Sequence, residues 1–312
     1  MVHERAFRFG VTAPRAVSGE DWRVFCRKVE DLGFATLVMP DHIGDQFAPM
    51  VALASAFEVT TTLRAGLLVA CNDFRHPVMH ARELATLDVL STGRVEWGIG
   101  AGWLKDEYEM AGVPFDRPAV RVGRMREAVS VMKHLFEHGA ASYQGEYYQI
   151  RELEGRPKPV QRPHPPLLVG GAGERMLAFA AREADIVGIA PSTTARTMGN
   201  RPALETVEAA ADRQSRLIKK VSGSRFDQVE LNMVASPVIT TRDREERAAK
   251  LADRLGLAPA EVLVSPHVWL GTVEHICDSL GERRERWGVS YWTVPATAVD
   301  AIAPVVDRLA GA

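Results

Sequence analysis

The sequence predicts an α/β fold, and within that class a (β/α)8 TIM barrel. The first observation is that short, continuously apolar segments alternate with amphipathic helical segments along the 312 residues. Strands with this apolar pattern are typical of a parallel sheet that is buried on both faces. The second observation is that eight strand-helix units can be traced, which favours a closed barrel over an open sheet. The third is that the sequence has no Gly-x-Gly-x-x-Gly run near its N-terminus, which weighs against a dinucleotide-binding sheet.

Four strand-helix units account for the first half of the chain. The predicted strands cover residues 7–13, 36–42, 64–70 and 94–97. The helices that follow them cover residues 18–33, 48–61, a segment that begins at 76, and 121–136. Ser18 and Asp21 form a start like a capping box for the first helix, and Gly33 ends it. Pro77 suits the first turn of the third helix, because a proline there loses no hydrogen bond.

An insertion after helix 4 interrupts this alternation over residues 137–166. A small strand is predicted at residues 145–150. The proline-rich stretch from 156 to 166 suits neither a helix nor an inner strand.

The alternation then resumes and continues to the C-terminus. The remaining elements are strand 5 (167–173), its helix (174–183), strand 6 (185–190), strand 7 (228–240), helices over 242–255 and 273–287, strand 8 (291–295) and a closing helix (300–309). A second insertion, after strand 6, covers 191–227 and includes a predicted polar helix near 202–221. Thr272 is a predicted N-cap. No linker divides these elements, so we predict a single domain over residues 1–312.

The composition indicates a soluble globular protein with small molecules as its partners. Apolar residues make up 46% of the chain, charged residues make up 25%, and the formal net charge is −2. This balance favours neither nucleic acid nor an anionic membrane as a partner. The three cysteines form no Cys-x-x-Cys pair, which fits a reducing compartment. The N-terminus has no signal-peptide pattern and no apolar run reaches membrane-spanning length, so we predict a cytoplasmic protein.

Active sites of such barrels lie at the carboxyl ends of the strands, so the residues just after each apolar segment are the candidates. They are Asp41 and His42, residues 70–73, residues 100–103, residues 170–174, and Ala190. Glycines at 98, 100 and 102 allow a sharp turn and a close approach of a flat ligand to the backbone. A structural bulge is the alternative interpretation of this glycine run.

Five segments of the sequence match motifs of one known family. They are Pro40-Asp41-His42, Arg75-His76-Pro77, residues 84–94, Gly98-x-Gly-Ala-Gly-Trp103 and Leu168-Val-Gly-Gly-Ala-Gly173. With these motifs the chain resembles the bacterial luciferase-like monooxygenase superfamily, and within it the oxidoreductases that use the deazaflavin coenzyme F420. The resemblance covers essentially the whole chain and implies a homodimer.

The resemblance implies that a deazaflavin or flavin ring lies at the strand ends. The residues it assigns to the cofactor are Ala70, Cys71, Asn72, Gly100, Gly102, Trp103, Gly170, Gly171, Ala172, Gly173 and Ala190. Residues 70–72 would form a bulge behind the ring that holds a non-prolyl cis peptide. Residues 170–174 would bind the cofactor phosphate, because unpaired amides and the positive end of a helix dipole meet there. A plain tight turn is the alternative for this loop.

His42 is the predicted base, and Asp41 is predicted to tune or position it. An imidazole can accept and return a proton near neutral pH while a hydride moves at the ring. The alternative is a histidine that only hydrogen-bonds the ring edge. Relatives that act on sugar phosphates carry a tryptophan and a glutamate where this chain has Gln46 and Trp103. Trp103 would instead form an apolar wall for a bulky substrate, or pack at the barrel rim.

Three functions follow, the first being hydride transfer between coenzyme F420 and an organic substrate. The second keeps the fold but uses reduced FMN and oxygen, as a two-component monooxygenase. The third is a non-catalytic protein that binds a flavin or deazaflavin. No metal site is predicted: His76 and His80 are four residues apart, but the glutamate of a His-Glu-x-x-His motif is lacking. We expect these two histidines to be capping or surface residues.

Overall fold

The computed structural model describes residues 5–13, 15, 17–198, 201–205 and 208–312, and for residues 192–198 and 201–205 it describes the backbone alone. Parallel strands alternate with helices in a (β/α)8 barrel, which confirms the predicted fold class. Within the described ranges, no helix combines the length and the apolar character that crossing a membrane requires.

The elements have the following bounds. The strands are β1 (Arg8–Thr12), β2 (Thr36–Met39), β3 (Arg64–Leu67), β4 (Ala70–Cys71), β5 (Val95–Gly100), β6 (Ala140–Gln144), β7 (Gln149–Glu154), β8 (Leu167–Gly171), β9 (Ile186–Ile189), β10 (Ser192–Met198), β11 (Arg201–Glu205), β12 (Glu230–Val234), β13 (Val238–Thr240), β14 (Trp269–Gly271) and β15 (Val289–Pro295). The helices are α1 (Gly19–Asp31), α2 (Pro49–Glu58), α3 (Pro77–Leu90), α4 (Lys105–Met110), α5 (Pro118–Glu137), α6 (Glu174–Glu183), α7 (Glu208–Ser222), α8 (Arg244–Leu255), α9 (Pro259–Val264), α10 (Val273–Trp287) and α11 (Val299–Leu309).

Contacts between Cα atoms divide the chain into two compact units. The unit that we call the C-terminal unit contains β1 and the chain from Gly170 onward. Its parallel strands follow the order β9, β12, β15, β1. The unit that we call the N-terminal unit contains most of α1 and Thr36–Val169. Its parallel strands follow the order β2, β3, β5, β8, and β4 pairs with β5 as well.

Each unit has a core of large aromatic side chains. In the C-terminal unit, Trp269 packs edge-on against Trp292 and Phe9, with ring centroids 5.5 and 6.4 Å apart. In the N-terminal unit, Trp97 of β5 packs edge-on against Phe136 of α5 at 5.3 Å. All five rings are essentially inaccessible to solvent. Aromatic side chains bury the largest areas per residue, so they hold helices and strands together in both units.

The predicted helix ends have identifiable caps. The Ser18 hydroxyl accepts a hydrogen bond from the backbone N–H of Asp21 at 3.1 Å, and so begins α1. His76 caps α3 by accepting from the N–H of Val78 at 3.3 Å, directly before Pro77. The Thr272 hydroxyl caps α10, as predicted. These contacts satisfy amides that the helix itself leaves without partners.

The predicted small strand at 145–150 is wrong for its first four residues. Those residues form the turn between β6 and β7, and only residues 149 and 150 belong to a strand. The carboxylate of Glu127 accepts the backbone N–H groups of Glu146, Tyr147 and Tyr148 at 2.8, 2.9 and 3.2 Å. Donors that are bound to a carboxylate cannot join a strand ladder, although aromatic residues favour strands.

Other predictions need shorter or shifted bounds. The polar helix near 202–221 begins only at Glu208, because residues 201–205 form β11; residues 206 and 207 lie outside the described ranges. Predicted strand 7 is divided at the cis bond between Ser236 and Pro237, where β12 ends and β13 follows. The bulge with a non-prolyl cis peptide was placed at residues 70–72, but the cis bond joins Leu68 and Val69, between β3 and β4.

Gly98 permits the close approach of β5 to its neighbour in the N-terminal unit. A Cβ atom at this position would lie 1.7 Å from the carbonyl oxygen of Leu67. That contact involves backbone, which cannot rotate away. Gly281, in contrast, lies inside α10 with no atom within 4 Å of an added Cβ.

These two glycines give a matched prediction. Gly98→Ala should lower the free energy of unfolding by about 3 kcal/mol, because backbone atoms must move apart in a packed core. Gly281→Ala should raise it by about 0.5–1 kcal/mol, because alanine is the better helix former. Urea unfolding followed by circular dichroism measures both values. Equal effects of the two substitutions would contradict the close approach of β5.

Candidate functional site

Asp41 joins the ends of two strands in the N-terminal unit. It follows β2, and its side chain is 5% exposed. Its carboxylate accepts a hydrogen bond from the backbone N–H of Cys71 at 2.9 Å. Both terminal nitrogens of Arg75 donate to the same carboxylate, Nη2 at 3.0 Å. A two-pronged arginine-carboxylate contact fixes direction as well as distance, so Asp41 holds the end of β4 and Arg75 in one arrangement.

His42 contacts a second carboxylate, that of Glu107. His42 Nδ1 lies 2.9 Å from Oε2 of Glu107, and Oε1 of Glu107 accepts from the N–H of Ile43 at 3.3 Å. The side chain of His42 is 34% exposed and that of Glu107 is 10% exposed. An ionised carboxylate only accepts hydrogen bonds, so the proton of the neutral imidazole lies on Nδ1. The lone pair of Nε2 is then available as a base, because Nε2 is the nitrogen that Glu107 does not use.

An exposed apolar surface adjoins this pair. The indole of Trp103 packs edge-on against the His42 ring, with centroids 6.1 Å apart, and Trp103 is 65% exposed. Ile43, which follows His42, is 49% exposed, and Met110, at the end of the helix that carries Glu107, is 72% exposed. An exposed apolar side chain such as Trp103 beside His42 is typical of a binding surface.

The predicted cofactor residues of β4 and β5 are adjacent. Ala70 pairs with Ile99, and Cys71 pairs with Gly100, in parallel register. Cys71 Sγ lies 3.1 Å from the hydroxyl of Tyr108. Burial raises the pKa of the Cys71 thiol to about 11, and burial also raises the pKa of Tyr108. Both groups therefore keep their protons at neutral pH.

Position 102 accommodates only glycine. Its φ is +72°, and an added Cβ would lie 1.8 Å from the Tyr108 hydroxyl and 2.9 Å from Cys71 Sγ. The loop after β5 thus packs directly on the Cys71–Tyr108 contact. A side chain at Gly102 would displace either the loop or the tyrosine.

A second arginine-carboxylate contact lies beside Asn72. Arg124 of α5 donates to both carboxylate oxygens of Asp73 at 2.8 and 2.9 Å, and to Asp116 at 3.0 Å. Hydrogen bonding to Asp73 raises the pKa of Arg124. The Asn72 amide donates to the hydroxyl of Tyr148 at 3.3 Å. These contacts connect the end of β4 to α5 and to the β6–β7 hairpin.

The predicted phosphate loop lies in the C-terminal unit, where β8 leads into α6. Gly171 O accepts from the backbone N–H of Ala190 at 3.0 Å. The amide of Gln214 donates to the carbonyl oxygens of Ala172 and Ala190 at 3.3 and 2.9 Å. Gly173 is the N-cap of α6 and supplies no side-chain cap. The first turn of α6 therefore has no side-chain cap, at an end that carries partial positive charge.

The predicted site residues thus form direct contacts within each unit. In the N-terminal unit Asp41 contacts Cys71, and His42 contacts Trp103. In the C-terminal unit Gly171 contacts Ala190, and Gln214 joins Ala172 to the same strand end. Gly170 precedes this loop as part of β8.

Sequence reasoning missed the carboxylate that contacts His42. Trp103 stands where some relatives carry a glutamate, but Glu107, four residues further on, contacts the imidazole of His42. The available signal was an acidic residue that closely follows the glycine-rich loop. Arg75 belongs to the family motif Arg75-His76-Pro77 and was not predicted to act in the site, although it donates a hydrogen bond to Asp41.

The two histidines of α3 differ from each other. His76 is a capping residue, as expected. His80 is neither a cap nor a surface residue, because it lies on the inward face of α3 and is 2% exposed. Among the described residues, no group of three or more His, Cys, Asp or Glu side chains is placed to hold a metal ion.

Comparison with known protein families assigns this chain to a family. A family model described as luciferase-like monooxygenase matches residues 7–305. The chain belongs to the luciferase-like monooxygenase family. The structure of the F420-dependent tetrahydromethanopterin reductase from Methanopyrus kandleri superposes with a TM-score of 0.76 and 19% identity, over 98% of this chain and 100% of that one. An F420-dependent secondary alcohol dehydrogenase gives a TM-score of 0.76 and 16% identity, over 98% and 99% of the two chains.

Curated luciferase-like relatives match over part of their length. A Mycobacterium tuberculosis protein of unassigned function is 36% identical over 183 residues, which is 51% of this chain and 64% of that protein. The F420-dependent glucose-6-phosphate dehydrogenase of Intrasporangium calvum is 30% identical over 168 residues, 51% of this chain and 50% of its own. The FMNH2-dependent dimethylsulfone monooxygenase of Pseudomonas putida is 28% identical over 188 residues, 60% of this chain and 47% of its own. The chain thus spans about half to two thirds of these relatives.

His80 predicts an acid-dependent loss of stability. Burial, with a smaller contribution from the charge of Arg75, lowers the pKa of His80 to about 3. Its Nε2 has no hydrogen-bond partner in the part of the chain that the structure describes. An unfolded histidine has a pKa of about 6.5, so between pH 6.5 and 3 the unfolded chain binds a proton that the folded chain does not. Stability therefore falls as the pH decreases through this window.

The substitution His80→Leu should remove this contribution. Between pH 7.5 and pH 5 the wild-type protein should lose about 2 kcal/mol more of its free energy of unfolding than the variant loses. Urea unfolding of both proteins at both pH values measures the difference. Parallel losses in the two proteins would mean that His80 takes up a proton in the folded state.

Proposed function

We propose that this luciferase-like protein is an oxidoreductase that transfers a hydride between coenzyme F420 and an organic substrate. The observation that carries the proposal is the His42–Glu107 pair beside the exposed ring of Trp103. The pair has the form of an oriented general base, and the ring offers a surface for an apolar substrate. The family consists largely of oxidoreductases and monooxygenases that use F420 or a flavin.

In the proposed reaction His42 moves the proton that accompanies the hydride. Glu107 holds Nδ1–H, and the lone pair of Nε2 accepts the hydroxyl proton of an alcohol. In the reverse direction the protonated imidazole returns a proton to the oxygen of a carbonyl compound. The negative charge of Glu107 stabilises the imidazolium that forms, because the two groups are 2.9 Å apart and Glu107 is shielded from water.

Asp41 acts as a positioning residue in this proposal. Its carboxylate is occupied by the Cys71 amide and by Arg75, so it fixes the β4 end against which the ring would rest. Cys71 and Tyr108 keep their protons, so neither competes with His42 for the transferred proton. Trp103 supplies an apolar face that excludes water from the reacting groups.

The residues of the C-terminal unit fit the phosphate of such a cofactor. An added Cβ at Gly173 would meet no atom within 4 Å, so there is open space beside the N-cap of α6. Outward-facing amides at a helix N-terminus bind phosphate. Gly170, Gly171, Ala172 and Ala190 shape this loop, and Gln214 holds it. A reduced deazaflavin supplies a hydride and its oxidised form accepts one.

One relative supports F420 and another supports the second candidate, an FMN-dependent two-component monooxygenase. The dehydrogenase of Intrasporangium calvum uses F420, and the monooxygenase of Pseudomonas putida uses FMNH2. A protein that binds a flavin or deazaflavin without turnover is the remaining alternative. The proposal also includes a cytoplasmic homodimer, which the composition and the family resemblance support.

The deciding experiment titrates the purified protein with F420 and, separately, with FMN, and follows the ring fluorescence. We expect tighter binding of F420, and no oxygen uptake when reduced cofactor and substrate are mixed. Tighter FMN binding together with oxygen uptake would favour the monooxygenase. Tight binding of either cofactor with no turnover across a panel of apolar secondary alcohols would favour the binding protein.

A set of three variants tests the proton-transfer pair. With the alcohol that turns over fastest, His42→Ala should lower kcat by about 10²- to 10⁴-fold, because the base is removed. Glu107→Gln should lower kcat by about tenfold or more, because the charged acceptor that orients the imidazole is lost. Glu109→Gln is the matched control on α4, since Glu109 pairs with Lys105 at the surface. Cofactor affinity should stay unchanged in all three, and a control that loses as much kcat as Glu107→Gln would refute the assigned pair.

A charge reversal at the N-cap of α6 tests the phosphate loop. Gly173→Asp should weaken both F420 and FMN by more than about tenfold, because a carboxylate would occupy the site of the phosphate. Gly173→Asn is the neutral control, and both residues are favourable N-caps in the observed backbone conformation, with φ −79° and ψ 150°. Thermal stability should therefore not fall in either variant. Equal cofactor affinities of the two variants would place the phosphate elsewhere.

A further inference from the structure

A cavity lies in the N-terminal unit beyond the end of β4. It has a volume of about 330 Å³, within the range of pockets that bind small organic molecules. Neither the His42–Glu107 pair nor Trp103 lines it. We call it the Tyr148 pocket and define it by its lining residues Asn72, Asp73, Phe74, Arg75, His76, Val113, Pro114, Arg124 and Tyr148.

The charged groups of the Tyr148 pocket are already paired. Arg75 donates both terminal nitrogens to Asp41, and Arg124 donates to Asp73 and Asp116. An anionic ligand would have to compete with these buried carboxylates for the guanidinium groups. A cationic ligand would have to displace the arginines themselves. The pocket therefore favours an uncharged ligand.

Two hydrogen-bond donors of the Tyr148 pocket remain available. Tyr148 accepts from the Asn72 amide at 3.3 Å, so its own hydroxyl proton can be donated. Burial raises the pKa of Tyr148, which keeps that proton in place. His76 accepts from the Val78 amide through Nδ1, so in the neutral imidazole the proton lies on Nε2. The two rings pack edge-on with centroids 5.4 Å apart, so the two residues form one wall of the pocket.

The wall that carries these donors is held rigidly. Glu127 fixes the hairpin turn through three backbone amides, including that of Tyr148 at 3.2 Å. His76 is fixed as the N-cap of α3, directly before Pro77. The apolar part of the lining is formed by Phe74, Val113 and Pro114. A pocket with two donors on one wall and an apolar lining elsewhere suits an acceptor atom on an apolar body.

We propose that the Tyr148 pocket binds an uncharged carbonyl compound, whose oxygen accepts hydrogen bonds from Tyr148 and His76 while its apolar body lies against Phe74, Val113 and Pro114. A carbonyl oxygen accepts two hydrogen bonds in its plane, which matches two donors on one wall. The binding is measured without the redox cofactor, so its test is separate from that of the proposed hydride transfer.

Isothermal titration of the full-length protein without added cofactor tests this inference with three matched probes. Acetophenone carries the carbonyl oxygen, ethylbenzene lacks an acceptor, and benzoate carries a charge. We expect acetophenone to bind about threefold to tenfold more tightly than either of the others, the range that one or two net hydrogen bonds provide. Equal affinity for ethylbenzene, tighter binding of benzoate, or no detectable binding of acetophenone at millimolar concentration would overturn the inference.

Three variants locate the binding. Tyr148→Phe keeps the ring but removes a donor, and should reduce the preference for acetophenone over ethylbenzene toward one. Val113→Trp fills the cavity and should abolish binding of both. Val24→Trp, on the exposed face of α1, is the control for adding an indole and should change neither affinity. Binding that survives Val113→Trp in a protein with unchanged circular dichroism and melting temperature would place the ligand outside the pocket.

Discussion

The buried carboxylate of Asp41 is the contact on which the candidate site depends. It joins the end of β2 to the end of β4 through the Cys71 amide, and it fixes Arg75 through two nitrogens. Removing one partner of a buried ion pair leaves an uncompensated charge, at a cost of about 3–5 kcal/mol. Loss of either partner would therefore remove the contact that joins the β2 end to the β4 end, although β4 would keep its pairing with β5.

The neighbouring carboxylates of Asp73 and Glu107 are also held by hydrogen bonds, and each contacts a different part of the site. Asp73 is held by Arg124, and Glu107 is held by the Ile43 amide while it orients His42. Burial keeps protons on Cys71 and Tyr108. In this group His42 has a partly exposed side chain, which is why the proposed proton transfer is assigned to it, while the other groups give the surroundings a fixed shape. A fixed polar environment needs no rearrangement when charge moves in the reaction.

Long, periodic helices could be predicted from the sequence, whereas two six-residue helices and one three-residue strand could not. Helices α6 and α10 have the predicted bounds, because apolar spacing over three or four turns is a strong signal. Helices α4 and α9 have six residues each, and β14 has three, which is too short for a period to emerge. The strand predicted at 145–150 shows a different limit, since a carboxylate 20 residues away took its backbone donors.

The sequence by itself determined the (β/α)8 class, the family and the loops that carry candidate residues, because apolar periodicity and glycine spacing are local properties of a chain. It also selected Asp41, His42, Cys71 and Trp103. Only the tertiary structure decided which of them touch: that Glu107 rather than Asp41 contacts His42, that Arg75 holds Asp41, and that Tyr148 and His76 face one cavity. Hydrogen-bond partners are determined by distance in the folded chain. The partners in the pairs Asp41–Arg75, His42–Glu107 and Asn72–Tyr148 are 34, 65 and 76 positions apart, so the sequence carries no local signal of their pairing.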